Sequence, residues 1–117
     1  DRFADAAAAY ASGLAANPNV GKDPGLWCEY ADALGMAQGG TLAGKPRELV
    51  AQALARDPAH PKALEMAGSA AFEERDFAAA ARHWRALLAL LPAGSPEHRE
   101  LAAAIARADL SAGAGVR

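Results

Sequence analysis

Three helix ends closed by proline set the strongest limit on how this chain folds. They lie at Asn17-Pro18, Asp57-Pro58 and Leu91-Pro92, so successive prolines are 40 and 34 residues apart. Proline cannot continue a helix, and it biases the residue before it away from helical backbone angles. A spacing of about 34 residues predicts an array of similar units, each built from two helices.

The amino-acid composition favours helices over strands. Alanine occupies 34 of the 117 positions, whereas valine, isoleucine and threonine together occupy five. Alanine has the highest helix propensity, and the β-branched residues that favour strands are scarce. Aromatic residues make up only 6%. We therefore expect one domain whose core consists of closely packed, alanine-lined helices around a few large side chains.

Residues 61–92 carry the clearest copy of the repeated unit. Gly68 lies where the first helix needs a small residue for close approach by its partner. Phe77 opens the second helix, Trp84 occupies its large core position, and Pro92 closes the unit. This order of small, aromatic and proline positions is typical of a tetratricopeptide repeat.

The rest of the chain is predicted to extend the same array. Residues 1–18 match the second half of a repeat, and residues 24–58 match a whole repeat that is three residues too long. The surplus lies in Gly39–Pro46, which its glycine and proline content identifies as a loop. Residues 95–110 open with Ser95-Pro96, an N-cap followed by proline at the first helical position, and are predicted to cap the array.

The predicted fold class is therefore all-α, a tetratricopeptide-repeat helical solenoid over residues 1–110. Antiparallel helix pairs stack side by side, and the stack curves into a concave groove. A flexible tail is expected over residues 111–117. The six predicted helices cover residues 2–16, 25–38, 46–56, 61–74, 77–91 and 96–110.

Charge and motif patterns argue against several function classes. The formal net charge is −2 and there is no basic stripe, so we expect no nucleic-acid partner. The longest apolar stretches, such as Ala86–Ala93, are too short to span a bilayer. Gly39-x-x-x-x-Gly44-Lys45 resembles a phosphate-binding loop, but Pro46 stands where serine or threonine should bind magnesium. We therefore interpret this segment as an inter-helix loop.

The sequence offers no convincing catalytic or metal-binding constellation. Its three histidines share no metal-ligand spacing. Cys28 has no partner cysteine, and it is expected to be an inert thiol. Glu97 and Glu100 are interpreted as part of a solvated helix face. We therefore expect no enzymatic activity, no metal site and no cofactor.

The concave surface is the candidate site for binding another protein. In this repeat type, defined positions of each first helix face the groove, and here they hold methionine, phenylalanine and carboxylates. Methionine suits the apolar face of a bound helix, and carboxylates suit its flanking basic residues. Alternatively, the apolar residues belong to the core and the acids are merely solvated. The candidate peptide-binding residues are Glu29, Asp32, Met36, Lys62, Glu65, Met66, Ser69, Phe72 and Glu73.

Six short runs of sequence carry a more specific pattern. They are Trp27–Leu34, Gly39–Leu42, Ala53–Pro58, Pro61–Leu64, Gly68–Phe72 and Trp84–Leu88. Together they resemble the periplasmic repeat domain of bacterial c-type cytochrome biogenesis proteins of the CcmI/CycH type, to which the nitrite-reductase assembly protein NrfG is related. The likeness covers about residues 1–110.

This resemblance implies a non-catalytic subunit of the haem-attachment machinery. Such a domain holds apocytochrome c, largely through the cytochrome's C-terminal helix, and presents it to the haem lyase. The implied partners are apocytochrome c and other cytochrome maturation subunits. In that family the domain follows membrane-spanning segments and faces the periplasm, so this chain is expected to be an excised periplasmic domain. An envelope assembly scaffold with another client protein, and an enzyme or haem-binding protein, are the alternatives.

Overall fold

The computed structural model describes residues 1–115, and within that range every regular element is helical. Each α-helix packs against the next one along the chain, so the helices form adjacent pairs. This arrangement confirms the predicted all-α class and is consistent with a tetratricopeptide-like solenoid. The elements are α1 Arg2–Ala16, a 3₁₀ helix Pro18–Lys22, α2 Pro24–Ala37, α3 Lys45–Arg56, α4 Pro61–Glu73, α5 Phe77–Leu88 and α6 Pro96–Gly115.

The alternate helices α2, α4 and α6 all start in the same way. Asp23 accepts a hydrogen bond from the backbone N–H of Gly25 at 2.9 Å, and His60 Nδ1 accepts one from Ala63 at 3.3 Å. Ser95 Oγ accepts a hydrogen bond from the backbone N–H of His98 at 3.1 Å. Each cap is followed by proline at the first helical position, where the missing N–H costs no helical hydrogen bond. Local sequence therefore sets where these three helices begin.

The core is divided into two clusters with α4 between them. The first cluster joins α2, α3 and α4, and the second joins α4, α5 and α6. Alanine is the commonest residue in both, with three of seven members in the first and five of seven in the second, and its small side chain lets helices approach closely. The first cluster contains Cys28, Ala31, Leu49, Val50, Ala53, Ala63 and Met66. The second contains Ala71, Ala79, Ala80, Ala81, Trp84, Ile105 and Ala108.

The contact between Gly68 and Trp84 brings α4 and α5 together. A Cβ atom placed on Gly68 would fall far inside the van der Waals radius of the Trp84 indole. The indole N–H donates to the backbone carbonyl of Glu65, 3.4 Å away. The predicted need for a small residue at position 68 is therefore confirmed.

The 3₁₀ helix between α1 and α2 was not predicted from the sequence. Its buried Gly21 presents a carbonyl that accepts from the Trp27 indole N–H at 2.7 Å and from the Arg56 guanidinium. The Arg56 guanidinium also lies 4.6 Å from the centroid of the Trp27 ring. This short segment thus ties α2 and α3 together through one shared acceptor.

Two predicted helix ends differ from the structure by more than one residue. The helix α5 ends at Leu88 rather than at residue 91, and tight turns through Leu90 and Leu91 follow it. The helix α6 continues to Gly115, so the first five residues of the predicted tail are helical. Residues 111–115 contain no proline to stop the helix and two alanines that favour it. Residues 116–117 of the predicted tail lie outside the described range.

Within residues 1–115, no helix has the length and apolar character needed to cross a bilayer.

Candidate protein-binding groove

An opening on the surface lies between α4 and α6, with α5 beneath it. It is a pocket of about 590 Å³, a size typical of ligand sites, and we call it the α4–α6 pocket. Of the nine predicted binding residues, Lys62, Glu65 and Ser69 line it. The full lining is Pro61, Lys62, Glu65, Ser69, Trp84, Leu87, Leu91, Glu97, Glu100, Leu101 and Ala104.

The floor of the α4–α6 pocket is apolar. Trp84 and Leu87 are largely buried at its base, and Leu91, Leu101 and Ala104 form half-buried walls. The polar indole nitrogen of Trp84 is already satisfied by the Glu65 carbonyl. The ring therefore offers its carbon surface, on which an apolar side chain of a ligand can pack.

The rim of the same pocket is acidic. The Lys62 ammonium pairs with the Glu65 carboxylate at 3.4 Å, and both side chains are more than half exposed. Such an exposed pair is weak, so a ligand can displace it at small cost. Glu97 and Glu100 form no ion pair with any other part of residues 1–115. Three glutamates and one lysine thus give the lining a net charge of −2.

Met66 does not belong to the groove surface, so its assignment as an apolar anchor is wrong. Its side chain is only 4% exposed and lies in the first core cluster with Cys28 and Ala63. The cause is tertiary, because α2 packs directly against α4 and covers the face on which Met66 lies.

Met36 and Phe72 are exposed, but neither lines the α4–α6 pocket. Met36 is 46% exposed near the end of α2, and Phe72 is 37% exposed near the end of α4. The Phe72 ring packs edge-on against Phe77, with centroids 5.0 Å apart, and lies 5.7 Å from the Trp84 ring. Phe72 thus contributes to packing around Trp84 as well as to the surface.

Glu73 holds a loop of its own chain. Its carboxylate accepts from the Leu42 backbone N–H at 2.9 Å and from the Thr41 hydroxyl at 3.3 Å. These donors lie in the loop of residues 38–44 between α2 and α3, where Gly40 has a φ of 95° that side-chain-bearing residues rarely adopt. The segment that resembles a phosphate-binding loop is therefore an inter-helix loop, and the anion it contacts is an internal carboxylate.

The two acids predicted on α2 lie beside α1. Glu29 accepts from the Tyr10 hydroxyl at 3.1 Å, and the Tyr10 ring stacks on Tyr30 with centroids 6.1 Å apart. Burial, the Glu29 contact and the charge of Asp32 together raise the pKa of Tyr10. Both acids are exposed, and they place further negative charge on α2 outside the α4–α6 pocket.

Cys28 and His60 approach each other, but their geometry does not form a reactive dyad. The Cys28 Sγ lies 3.8 Å from His60 Nδ1. That nitrogen already accepts from the Ala63 N–H as the cap of α4, and burial raises the pKa of Cys28 to about 11. The thiol is therefore protonated at neutral pH, which fits the expected inert role. Within residues 1–115, no cluster of three or more His, Cys, Asp or Glu could hold a metal ion.

One of three comparisons with known proteins supports the link to c-type cytochrome biogenesis. No family model matches the chain, and no solved structure matches it. The chain is similar to a cytochrome c biogenesis protein. It is 32% identical over 108 residues to the cytochrome c-type biogenesis protein CycH of Pseudomonas aeruginosa. The match covers 92% of this chain but 26% of CycH, so the chain spans about a quarter of that relative.

Sequence interpretation missed the α6 wall of the pocket. Three residues of this wall lie three, four and seven positions after Glu97, and this spacing places all four on one helix face. They are Glu100, Leu101 and Ala104. That spacing is visible in the sequence, but the helix was interpreted only as a cap with a solvated outer face. Trp84 was likewise assigned to packing alone.

Proposed function

We propose that this chain is a non-catalytic protein-binding module of c-type cytochrome maturation. It holds a segment of apocytochrome c, such as the C-terminal helix, against α4, α5 and α6 while haem is attached. The process is taken from the similarity to CycH. The observation that carries the binding role is the α4–α6 pocket, which combines an open apolar floor with charged rims.

The pocket suits an amphipathic helix better than an extended chain. Its walls are two helices that face each other across an apolar floor, and this is the usual arrangement for capture of a helix in a groove. One apolar stripe of the ligand packs on Trp84 and Leu101, while polar residues on either side of that stripe meet Glu65 and Glu97. The partners are apocytochrome c and other subunits of the maturation machinery, at the periplasmic face of the inner membrane.

A peptide titration tests this proposal. The 117-residue chain is titrated by calorimetry with a peptide that corresponds to the C-terminal helix of a c-type apocytochrome, and with a scrambled peptide of the same composition. We expect saturable binding of the first peptide only. No heat of binding at high peptide concentration would reject the proposal and direct attention to another client protein.

A matched pair of variants locates the binding site. Leu101→Ala removes a wall of the α4–α6 pocket, whereas Leu54→Ala removes an equally half-buried leucine from the other core cluster. We expect the first variant to weaken peptide binding about tenfold, as for one lost apolar anchor, and the second to bind normally. Circular dichroism confirms that both variants are folded. Equal affinities for both variants would place the site elsewhere.

A haem titration distinguishes the proposed polypeptide-binding module from a haem-binding protein. Haem is titrated into the chain while the absorbance spectrum is recorded. We expect no shift of the haem absorption bands. A saturable shift would favour a haem-binding protein over a module that holds only the polypeptide.

A further inference from the structure

We infer that the α4–α6 pocket selects a basic amphipathic segment, in which an apolar anchor is flanked by lysine or arginine on the side that faces α6. The inference rests on the proposed function, because it names the chemistry of the segment that the same pocket would take. The likeness to CycH does not specify this chemistry. The sequence predicts that carboxylates of α2 and α4 meet basic residues, whereas the structure adds Glu97 and Glu100 of α6.

The first argument is the position of the carboxylates around the apolar floor. Glu65 lies on the α4 wall, and Glu97 and Glu100 lie on the α6 wall. An apolar side chain that packs on Trp84 and Leu101 between these walls brings its helical neighbours toward the two α6 glutamates on one side and toward the Lys62–Glu65 pair on the other. Cations at the neighbouring positions that face α6 are therefore stabilised, and anions are repelled.

The second argument is that the acids of α6 have no cation partner within the described residues. Arg99, which lies between them in sequence, donates instead to the backbone carbonyl of Gly94. Lys62, the lysine of the pocket, lies on the opposite wall and pairs with Glu65. The α6 wall therefore presents uncompensated negative charge directly beside an apolar floor.

The spacing of Glu97 and Glu100 restricts how the basic residues of a bound helix can be arranged. Glu97 and Glu100 are three residues apart on one helix, so their Cα atoms are separated by about 4.5 Å along the axis. A bound helix that presents two basic residues three or four positions apart offers a matching separation. A segment with its basic residues scattered around the helix would satisfy only one of the acids at a time.

Two synthetic peptides test the inference directly. Both have leucine at positions i, i+3, i+4 and i+7, and they differ only in the flanking positions, which carry lysine in one peptide and glutamate in the other. Binding to the 117-residue chain is followed by fluorescence anisotropy at low and high salt. We expect the lysine peptide to bind at least about tenfold more tightly at low salt.

The variant Glu97→Gln/Glu100→Gln identifies the acids responsible. We expect it to weaken binding of the lysine peptide about fivefold, from two exposed charge pairs, and to flatten the salt dependence. The control is Glu48→Gln, the same substitution at an exposed first-turn glutamate of α3, which does not line the pocket. It should bind the lysine peptide with unchanged affinity.

The outcomes separate this inference from the proposed function. Equal affinity for the two peptides, or an unchanged affinity in the double variant, would overturn the inference. If the apocytochrome peptide still binds in that case, the proposed function stands. If the lysine peptide binds through Glu97 and Glu100 while the apocytochrome peptide does not bind at all, the inference holds and the client is a different basic segment.

Discussion

The gap between α2 and α4 is filled, whereas the gap between α4 and α6 is open. In the first, Met66 enters the space between the helices and packs with Cys28 and Ala63. In the second, the facing residues of α4 and α6 include Ser69, Glu65 and Ala104. Short or charged side chains cannot fill an inter-helix space as methionine does. The comparison teaches that one long apolar side chain decides whether such a gap becomes core or binding surface.

Truncation of the Met66 side chain should destabilise the filled gap between α2 and α4. We expect Met66→Ala to lower the free energy of unfolding by about 3 kcal/mol, because it leaves a cavity in the first core cluster. Met36→Ala, at the exposed methionine of α2, should change it by less than about 0.5 kcal/mol. Urea denaturation measures both values. Similar small effects would mean that Met66 is not a core residue.

A substitution at Gly68 should displace Trp84, which forms part of the floor of the α4–α6 pocket. Gly68→Ala is expected to lower the free energy of unfolding by about 2 kcal/mol, since the added Cβ overlaps Trp84. Gly13→Ala provides the control, because a Cβ there meets no neighbour in α1 and should stabilise the helix by about 0.5 kcal/mol. Denaturation curves and the tryptophan fluorescence emission, to which Trp27 and Trp84 both contribute, report the change. A stabilising Gly68→Ala would contradict the packing described for α4 and α5.

Loss of the Glu73 carboxylate should loosen the loop between α2 and α3. We expect Glu73→Gln to cost about 1 kcal/mol, because the exposed hydrogen bonds from Leu42 and Thr41 lose a charged acceptor. Amide hydrogen exchange at Leu42 should become faster, while exchange in α5 should not change. Unaltered protection of the Leu42 amide would show that the carboxylate does not hold the loop.

Titration of Cys28 should have the smallest effect at neutral pH and the clearest effect at high pH. Burial raises the pKa of this thiol from 9.0 to about 11, so the fold favours the protonated form. The resulting stabilisation is fully present below pH 9 and is lost as the pH rises toward about 11. Thiol alkylation of the folded chain should be slow at pH 7 and should accelerate in that window. Rapid labelling of the folded chain at pH 7 would contradict the burial of Cys28.

Much of the helical order could be predicted from local sequence. Proline at the first helical position, preceded by Asp23, His60 or Ser95, marks the starts of α2, α4 and α6. Gly68 could be assigned to a close approach because the repeat pattern places a large side chain opposite it. The 3₁₀ helix could not be predicted in this way, because it depends on Trp27 and Arg56 sharing one carbonyl across three elements.

The candidate site was only partly predictable, for a reason visible in particular residues. Of the predicted binding residues, Lys62, Glu65 and Ser69 line the pocket, whereas Met66 is core and Glu73 holds a loop. Position within a helix predicts the direction of a side chain. It does not predict whether a neighbouring helix or loop already occupies the space in that direction.

The sequence by itself determined that this chain is a stack of capped, proline-started helices with alanine-rich contact faces. Those properties depend on hydrogen bonds and side-chain volumes within a few residues of each other. Only the tertiary structure decided which inter-helix gap is closed and which is open. That outcome depends on which helix packs over the side chains of α4: α2 covers Met66, and this contact joins residues far apart in the chain.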